Sequence, residues 1–263
     1  QPIGVHENFF ALGGHSLLAV RLAAQLEKLL GTPVPLATLF HAPTIAQLAQ
    51  RLRQGTRMSP DLLLAFRTTG ASRPFFSVHF GGQYLAHAAG WEHPWYGLYL
   101  PSMDGRPDPQ TLEAFAAGYI RRMQTHQPAG PYFLGGYSFG AVIAFEMAQQ
   151  LRQQGQEVAL LLLVDPGLLR HHRGLPPPLL QRLKWPARKL AWRLGKTYLG
   201  FGRRIPPWLY SHYSNEVSIQ AVRRYVPRVY PGRLVLLCAA QQSEDLQGTW
   251  GPLAGGGIEM HGV

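Results

Sequence analysis

The stretch LGGYSFGAV, residues 134–142, contains the pattern Gly-x-Ser-x-Gly over residues 136–140. It lies between the apolar run PYFLGG and the run AVIAFEMAQQLRQQG, which are typical of a strand and a helix. In that context the pattern predicts a tight strand-to-helix turn, flanked by glycines because bulky side chains would not fit. The helix N-terminus would then face any oxyanion formed at Ser138. The alternative is a glycine-rich turn whose serine has no chemical role.

The segments around this turn predict an α/β fold. Strand character is found in FFSVHF (75–80), YGLYL (96–100), EVALLLLVD (157–165), GRLVLLCAA (232–240) and GGIEMHGV (256–263), and TLEAFAAGYIRRMQTH (111–126) has the periodicity of an amphipathic helix. Apolar strands that alternate with helices are typical of a parallel sheet covered on both faces. We expect the basic, Pro-rich segment 166–215 to lie on top of that sheet as an insertion.

A serine nucleophile needs a base and an acid that orients the base. Asp165 ends the strand after Ser138, and the carboxyl ends of parallel strands face the crevice in which α/β sites lie. A helix cap or turn residue is the plainer alternative for this aspartate. The backbone N–H of Phe139, with one from Gly81 or Gly82, is a candidate for the oxyanion hole. A bare loop explains the two glycines almost as well.

The base is the component that the sequence does not supply in the expected place. On this type of fold the triad runs in the order serine, acid, histidine. His171, His172 and His212 lie in the insertion, where no strand positions them. His261 lies inside the last predicted strand, so we expect its ring to be packed or half-exposed on a face of the sheet.

Residues 1–54 form a second block, which has helical character and no strand pattern. Apolar residues recur at helical spacing after a Gly-Gly loop: Leu18, Leu22, Leu26 and Leu29. Gly31 is expected to end this helix, and Thr44 with Gln47 predicts a capping box at the start of the next one.

Ser16, in LGGHSLLAV (12–20), stands at the start of the first of these helices. The block is too small to hold a triad. Free N–H groups at a helix N-terminus nevertheless favour anions, which suits a covalently attached phosphodiester. A plain N-cap serine is the alternative, and the spacing alone favours it.

The composition excludes several classes of protein. No apolar run in the 263 residues approaches the roughly 18 residues of a membrane span, and we expect a cytoplasmic protein that does not span a membrane. Cys238 is the only cysteine, so we expect no intrachain disulfide and no cysteine-based zinc site, and the sequence indicates no other metal site. The formal net charge is +11, but ten of the 25 basic residues lie between residues 166 and 215 with no acidic residue. This confinement argues against a nucleic-acid partner.

FFALGGHSLLAVRL and LFHAPTIAQLAQRL together resemble the peptidyl carrier domain of nonribosomal peptide synthetases. The resemblance covers nearly all of residues 1–54. In that family the serine of LGGHSL carries 4′-phosphopantetheine, and Ser16 occupies its position. The resemblance therefore implies that 4′-phosphopantetheine is attached covalently to Ser16.

Residues 74–263, after a linker over residues 55–73, resemble the thioesterase domains that end such synthetases. The matching stretches are QPAGPYFLGGYSFGAVIAFEMAQQLRQQG, VALLLLVDP and YVPRVYPGRLVLLCAA. The resemblance implies an α/β-hydrolase fold with Ser138 as nucleophile, Asp165 as acid and a helical lid over about 167–215. In the family the histidine base follows the last strand. His261 aligns before that position, so the resemblance implies a base beyond Val263.

Taken together, the resemblance implies a terminal carrier–thioesterase pair that releases an acyl or peptidyl chain by hydrolysis or macrocyclisation. Its partners would be upstream adenylation and condensation domains, a phosphopantetheinyl transferase and the acyl or peptidyl thioester. One alternative is an esterase or lipase that acts on free substrates, and another is a carrier joined to an inactive hydrolase fold that only binds or gates.

The basic insertion keeps three interpretations of its own. LLQRLKWPARKLAWRLGKTYL (179–199) could lie on an anionic membrane, attract the phosphate of the arm or an acidic partner, or form a lid whose solvated face is basic. Pro186 is expected to break or kink a helix in this segment.

Overall fold

The computed structural model of the chain describes residues 3–9, 12–14, 16–31, 34, 38–39, 42–53, 63–68, 70, 72–79, 93–98, 111–166, 185–201, 205–239 and 243–262. The N-terminal block contains the helices α1 (Ser16–Leu30) and α2 (Ile45–Arg53). Gly31 follows α1 at φ 67°, and the N–H of Gln47 donates to Thr44 Oγ1 at 3.2 Å. Both the predicted helix end and the predicted cap are confirmed.

The N-terminal block has an apolar core of its own. Its buried residues are Ala19, Ala23, Leu39, Ala42 and Leu48. Leu22 and Leu26 pack at the edge of this core, whereas Leu18 and Leu29 are exposed. The leucine periodicity therefore locates α1 correctly, but the centre of its buried face lies on the two alanines.

The described strands form one sheet in the order β1-β3-β2-β4-β5-β6-β7. They are β1 (Leu63–Arg67), β2 (Phe75–Val78), β3 (Trp95–Leu98), β4 (Tyr132–Tyr137), β5 (Val158–Val164), β6 (Leu234–Cys238) and β7 (Ile258–Gly262). Neighbouring strands run parallel except β1, which is antiparallel to β3. The predicted parallel α/β sheet is confirmed, and its antiparallel edge strand β1 lies within residues 55–73, where a linker was expected. The parallel strands place their carboxyl ends along one edge of the sheet.

Helices cover one face of this sheet, and an apolar cluster of strand side chains lies on the other. The helices α3 (Leu112–His126) and α4 (Phe139–Gln153) pack against each other, and α4 lies against β2, β4 and β5. The opposite face holds a smaller cluster around Phe75, Trp95 and Leu162, in which Trp95 Nε1 donates to Ser77 Oγ at 2.7 Å. Leu161 and Leu163 of β5 belong to the core beneath the helices and Leu162 to the smaller cluster, so the middle of β5 is buried on both faces, as its apolar sequence predicts.

Two long helices, α5 (Trp185–Gly200) and α6 (Pro207–Arg224), follow β5 and pack against each other. They correspond to the lid predicted for about 167–215, although α6 continues beyond that range and residues 167–184 lie outside the described part. A Cβ on Gly195 would collide with the ring of Tyr213, so the two helices approach closely there. Pro186 is the second residue of α5, a position that tolerates proline, and it does not interrupt the helix.

The lid also meets the N-terminal block, since α1 lies against α6. A further helix, α7 (Ser243–Trp250), precedes β7. None of the helices within the described ranges is both long enough and apolar enough to cross a lipid bilayer.

A buried polar cluster connects the end of α6 to α4. The hydroxyl of Tyr225 donates to Glu146 Oε2 at 2.8 Å, and Gln149 Nε2 donates to the Tyr225 hydroxyl oxygen at 2.8 Å. Gln150 Nε2 donates to the other carboxylate oxygen, Oε1, at 2.7 Å. Burial, and then the negative charge of Glu146, raise the pKa of Tyr225, so the phenol remains a donor. The cluster fixes the lid to the helix that begins at the predicted nucleophile.

We expect Tyr225→Phe to lower the free energy of unfolding by about 1–3 kcal/mol, because the buried Glu146 carboxylate loses a donor. Tyr96→Phe is the matched control, since its hydroxyl makes no hydrogen bond with any described residue, and we expect a change below about 0.5 kcal/mol. Denaturant unfolding of both variants checks this. Equal effects of the two substitutions would contradict the role of the cluster.

Candidate active site

Ser138 lies in the turn between β4 and α4 with φ 53° and ψ −112°. The backbone of a residue other than glycine rarely has a positive φ, and it does so only where the surrounding structure enforces it. The neighbours in the motif explain how the turn closes. A Cβ on Gly136 would collide with the carbonyl oxygen of Gly140, and a Cβ on Gly140 would collide with the carbonyl oxygen of Val78. Glycine is therefore required on both sides of Ser138.

The turn is held by the neighbouring strand and by the helix that it starts. The N–H of Ser138 donates to the carbonyl of Val164, the last residue of β5, at 2.9 Å. Phe139 is the first residue of α4, which is buried from residue 139 to residue 149. The first N–H groups of a helix have no partner within it, and the helix dipole places partial positive charge there. The predicted strand–turn–helix context of Ser138 is confirmed.

Asp165 directly follows β5 and also has a positive φ, 46°. Its N–H donates to the carbonyl of Leu237 on β6 at 2.8 Å, and Trp250 Nε1 donates to the carbonyl of Pro166 at 3.1 Å. Burial raises the pKa of the Cys238 thiol, and the negative charge of Asp165 raises it further. The thiol therefore stays protonated and unreactive. The aspartate thus lies at the carboxyl edge of the sheet, in the strand next to that of Ser138.

His79, the residue that follows β2, is not among the site residues predicted from the sequence. Its φ is 54°, its N–H donates to the Leu98 carbonyl at 3.0 Å, and its Nε2 lies 2.7 Å from the hydroxyl oxygen of Tyr119. Burial lowers the pKa of His79 to about 4, so the ring is neutral at physiological pH. The feature of the sequence that could have identified it is its position between a buried strand and the two glycines Gly81 and Gly82.

The other predicted site residues fall in different places. Gly81 and Gly82 lie outside the described residues, as do His171 and His172. His261 lies in β7, where its Nε2 is 2.9 Å from Glu259 Oε1, and its exposed ring confirms the expectation of a half-exposed strand histidine. Ser16 is the first residue of α1, as predicted. No group of three or more metal-binding side chains occurs within the described ranges.

Two family models match the chain. Residues 1–52 match the model described as phosphopantetheine attachment site, and residues 86–176 match the model described as thioesterase domain. The first range includes Ser16, and the second includes Ser138 and Asp165.

The similar curated proteins are synthetases. The chain is 43% identical over 171 residues to a dimodular nonribosomal peptide synthase of Bacillus subtilis, an alignment that covers 62% of this chain and 7% of that protein. It is 33% identical over 280 residues to malpibaldin synthetase of Mortierella alpina, covering 99% of this chain and 5% of that protein. The chain therefore spans less than a tenth of the length of either relative.

Solved structures support the same fold. A four-domain nonribosomal peptide synthetase, holo-AB3403 bound to AMP and glycine, superposes with a TM-score of 0.64 at 26% identity over 99% of this chain and 23% of that chain. The NocB thioesterase domain, in covalent complex with a fluorophosphonate nocardicin G analogue, superposes with a TM-score of 0.54 at 23% identity over 77% of this chain and 89% of that domain. The predicted α/β thioesterase fold is confirmed.

The tight turn gives a first prediction for this site. Gly140→Ala should destabilise the fold by about 1–3 kcal/mol, because the added methyl group meets the Val78 carbonyl and has no room to move. Gly118→Ala, in α3 with open space around it, is the control and should stabilise by about 0.5–1 kcal/mol. Thermal unfolding of both variants separates the effect of the turn from that of helix propensity. A neutral Gly140→Ala would contradict the packing described for the turn.

The lowered pKa of His79 gives a second prediction. Between pH 8 and pH 5 the unfolded chain binds a proton at this histidine, with its ordinary pKa of 6.5, whereas the folded chain does not until about pH 4. Stability should therefore fall on acidification, by about 2 kcal/mol at pH 5 from this group alone. On going from pH 8 to pH 5, the free energy of unfolding should fall by about 2 kcal/mol less in His79→Gln than in the wild type, as measured by denaturant unfolding. Identical losses would show that His79 is not desolvated.

Proposed function

We infer that this chain, which joins a phosphopantetheine attachment domain to a thioesterase domain, releases an acyl or peptidyl chain from the end of a nonribosomal peptide synthetase. The main support for this conclusion is the backbone of Ser138, which has a φ of 53° between β4 and the N-terminus of α4. Such a turn presents a serine oxygen at the carboxyl edge of the sheet, in front of helix N–H groups. That arrangement suits acyl transfer through an ester on the serine.

The first step forms the acyl-enzyme. Ser138 Oγ attacks the thioester carbonyl carbon while a histidine takes the hydroxyl proton. The tetrahedral intermediate then collapses, the carbon–sulfur bond breaks, and the pantetheine thiol leaves with that proton. In the second step water, or a nucleophile within the acyl chain, attacks the ester carbonyl carbon. The bond between that carbon and Ser138 Oγ then breaks, and the histidine passes the proton of the attacking group to Ser138. The product is a free acid or a macrocycle.

The N–H of Phe139 is the first donor that we assign to the oxyanion. It is the first residue of α4 and directly follows the nucleophile, so its N–H belongs to the unpaired first turn of the helix. Gly81 or Gly82, close after β2, is our second donor. Two preorganised backbone donors stabilise the charge that develops on the carbonyl oxygen during attack.

We assign the base to a histidine beyond Val263, oriented by Asp165. The register of the sheet supports this assignment: Leu237 on β6 accepts the N–H of Asp165 and pairs with His261 on β7. Residues that follow β7 therefore leave the sheet at the edge at which Asp165 lies. His261 itself is engaged with Glu259 in the strand, and His79 is tied to Tyr119.

We propose that the substrate arrives on 4′-phosphopantetheine attached to Ser16. Ser16 starts α1, and the positive end of a helix is a favourable place for a phosphodiester. Because α1 lies against the lid helix α6, the carrier stays close to the domain that it serves. Covalent linkage raises the effective concentration of the thioester, so a weak docking surface is sufficient. The partners that we propose are upstream adenylation and condensation domains and a phosphopantetheinyl transferase.

A loading experiment tests both serines in a chain that includes the residues after Val263. A phosphopantetheinyl transferase and an acyl-coenzyme A load the carrier, and intact-protein mass spectrometry follows the acyl group. We expect the wild type to load and then release the acid, and Ser138→Ala to load but to keep the acyl group on Ser16. Because a serine nucleophile is essential to the triad, release should fall by at least about 10³-fold.

Ser16→Ala is the matched variant, and it should gain no pantetheine mass. If Ser16→Ala still loads, the carrier assignment is wrong. If Ser138→Ala releases the acid at the rate of the wild type, the assignment of the nucleophile is wrong. Rapid turnover of small free esters combined with no release from the loaded carrier would indicate the alternative, an esterase that acts on free substrates.

A further inference from the structure

His79 lies beside the nucleophile turn, and the proposed steps leave it without a role. It follows Val78, which pairs with Gly136 in the sheet. Its backbone N–H is held by the Leu98 carbonyl, and its Nε2 lies 2.7 Å from the hydroxyl oxygen of Tyr119 on α3. The residue is therefore fixed at both ends, by the sheet at its backbone and by α3 at the tip of its ring.

The ring of His79 packs on the first turn of α4. Its centroid lies 5.7 Å from that of Phe139, and the Phe139 ring also meets Phe115 of α3 edge-on at 5.6 Å. A Cβ on Gly140 would lie 3.0 Å from the Cβ of His79, so Gly140 is in close contact with the same residue. His79 and α3 thus hold the two residues that directly follow Ser138.

We propose that His79 is a positioning residue for acyl transfer, which fixes the direction of the Phe139 N–H by holding the Phe139 ring against α3. The inference rests on the proposed function, because it assigns a task to the Phe139 N–H in that reaction. The hydrogen bond to Tyr119 fixes the rotation of the imidazole. The imidazole in turn restricts the Phe139 ring to one orientation. Ser138 and the amide beside it then keep a constant relative orientation.

The same contacts exclude His79 as the base for Ser138. Its Nε2 is engaged with Tyr119, and a pKa of about 4 makes its ring a weak proton acceptor at neutral pH. The neutral ring adds no charge next to the serine. Its effect on the reaction therefore passes through the geometry of Phe139 and not through proton transfer.

The choice of substitutions follows from the reach of the side chain. The amide of glutamine reaches about as far as Nε2 of histidine, so His79→Gln keeps a partner for Tyr119. Asparagine is among the residues that best tolerate a positive φ, but its shorter side chain does not reach Tyr119. Tyr119→Phe removes the same hydrogen bond from the other side, and Tyr96→Phe serves as a control outside the site.

The experiment measures kcat and KM for a small acyl thioester of N-acetylcysteamine, in a chain that includes the residues after Val263. His79→Asn should lower kcat by about 10- to 100-fold with KM unchanged, since a displaced oxyanion donor is felt in the transition state. His79→Gln should restore most of that rate, and Tyr96→Phe should match the wild type. The double variant His79→Asn, Tyr119→Phe should be no slower than His79→Asn alone, because both remove one interaction.

Thermal unfolding of each variant is measured alongside the kinetics, to show that it folds. If His79→Asn does not fold, the kcat of Tyr119→Phe is used in its place. The inference is overturned if folded His79→Asn keeps the kcat of the wild type, if glutamine gives no rescue, or if KM rises while kcat is unchanged. Ser138→Ala separates this from the proposed function. If that variant releases the acid as fast as the wild type, the proposed function fails and the inference falls with it.

Discussion

Ser138 has a left-handed backbone because the chain turns from β4 into α4 at a single residue. Two contacts permit the turn, and both exclude a side chain: Gly136 against the carbonyl of Gly140, and Gly140 against the carbonyl of Val78. The second contact ties the turn to β2. A helix start, a strand end and a neighbouring strand are therefore brought to one point, and every group assigned to acyl transfer in the described chain is placed relative to that point.

The same backbone device occurs at three strand ends. His79, Ser138 and Asp165 follow β2, β4 and β5 and have φ values of 54°, 53° and 46°. Each donates its N–H to a carbonyl of the adjacent strand, at Leu98, Val164 and Leu237 respectively. A positive φ costs free energy at residues other than glycine, and these backbone hydrogen bonds help to hold it. The carboxyl edge of the sheet is thus a row of fixed side chains, which suits a site that must be preorganised.

The helix α4 connects this edge to the lid. It begins at Phe139, and two turns later Glu146 accepts the hydroxyl of Tyr225, just past the end of α6. Since α4 is buried along most of its length, a displacement of the Tyr225–Glu146 contact would be transmitted to the start of α4, next to the proposed nucleophile. The buried carboxylate is satisfied by a phenol and amides within the described residues, which keeps the anchor rigid without an ion pair.

What the sequence determined is local. The glycines around Ser138 specify the turn, the apolar run of β5 specifies a strand with apolar side chains on both faces, and Thr44 specifies a helix start, since each depends on neighbouring residues. The leucine spacing located α1 but not its buried face, because a face is chosen by its packing partner. His79 and Tyr119 are 40 residues apart, and Glu146 and Tyr225 are 79 apart. Only the tertiary structure brings such pairs together, because their contacts depend on strand order and helix packing and not on any spacing along the chain.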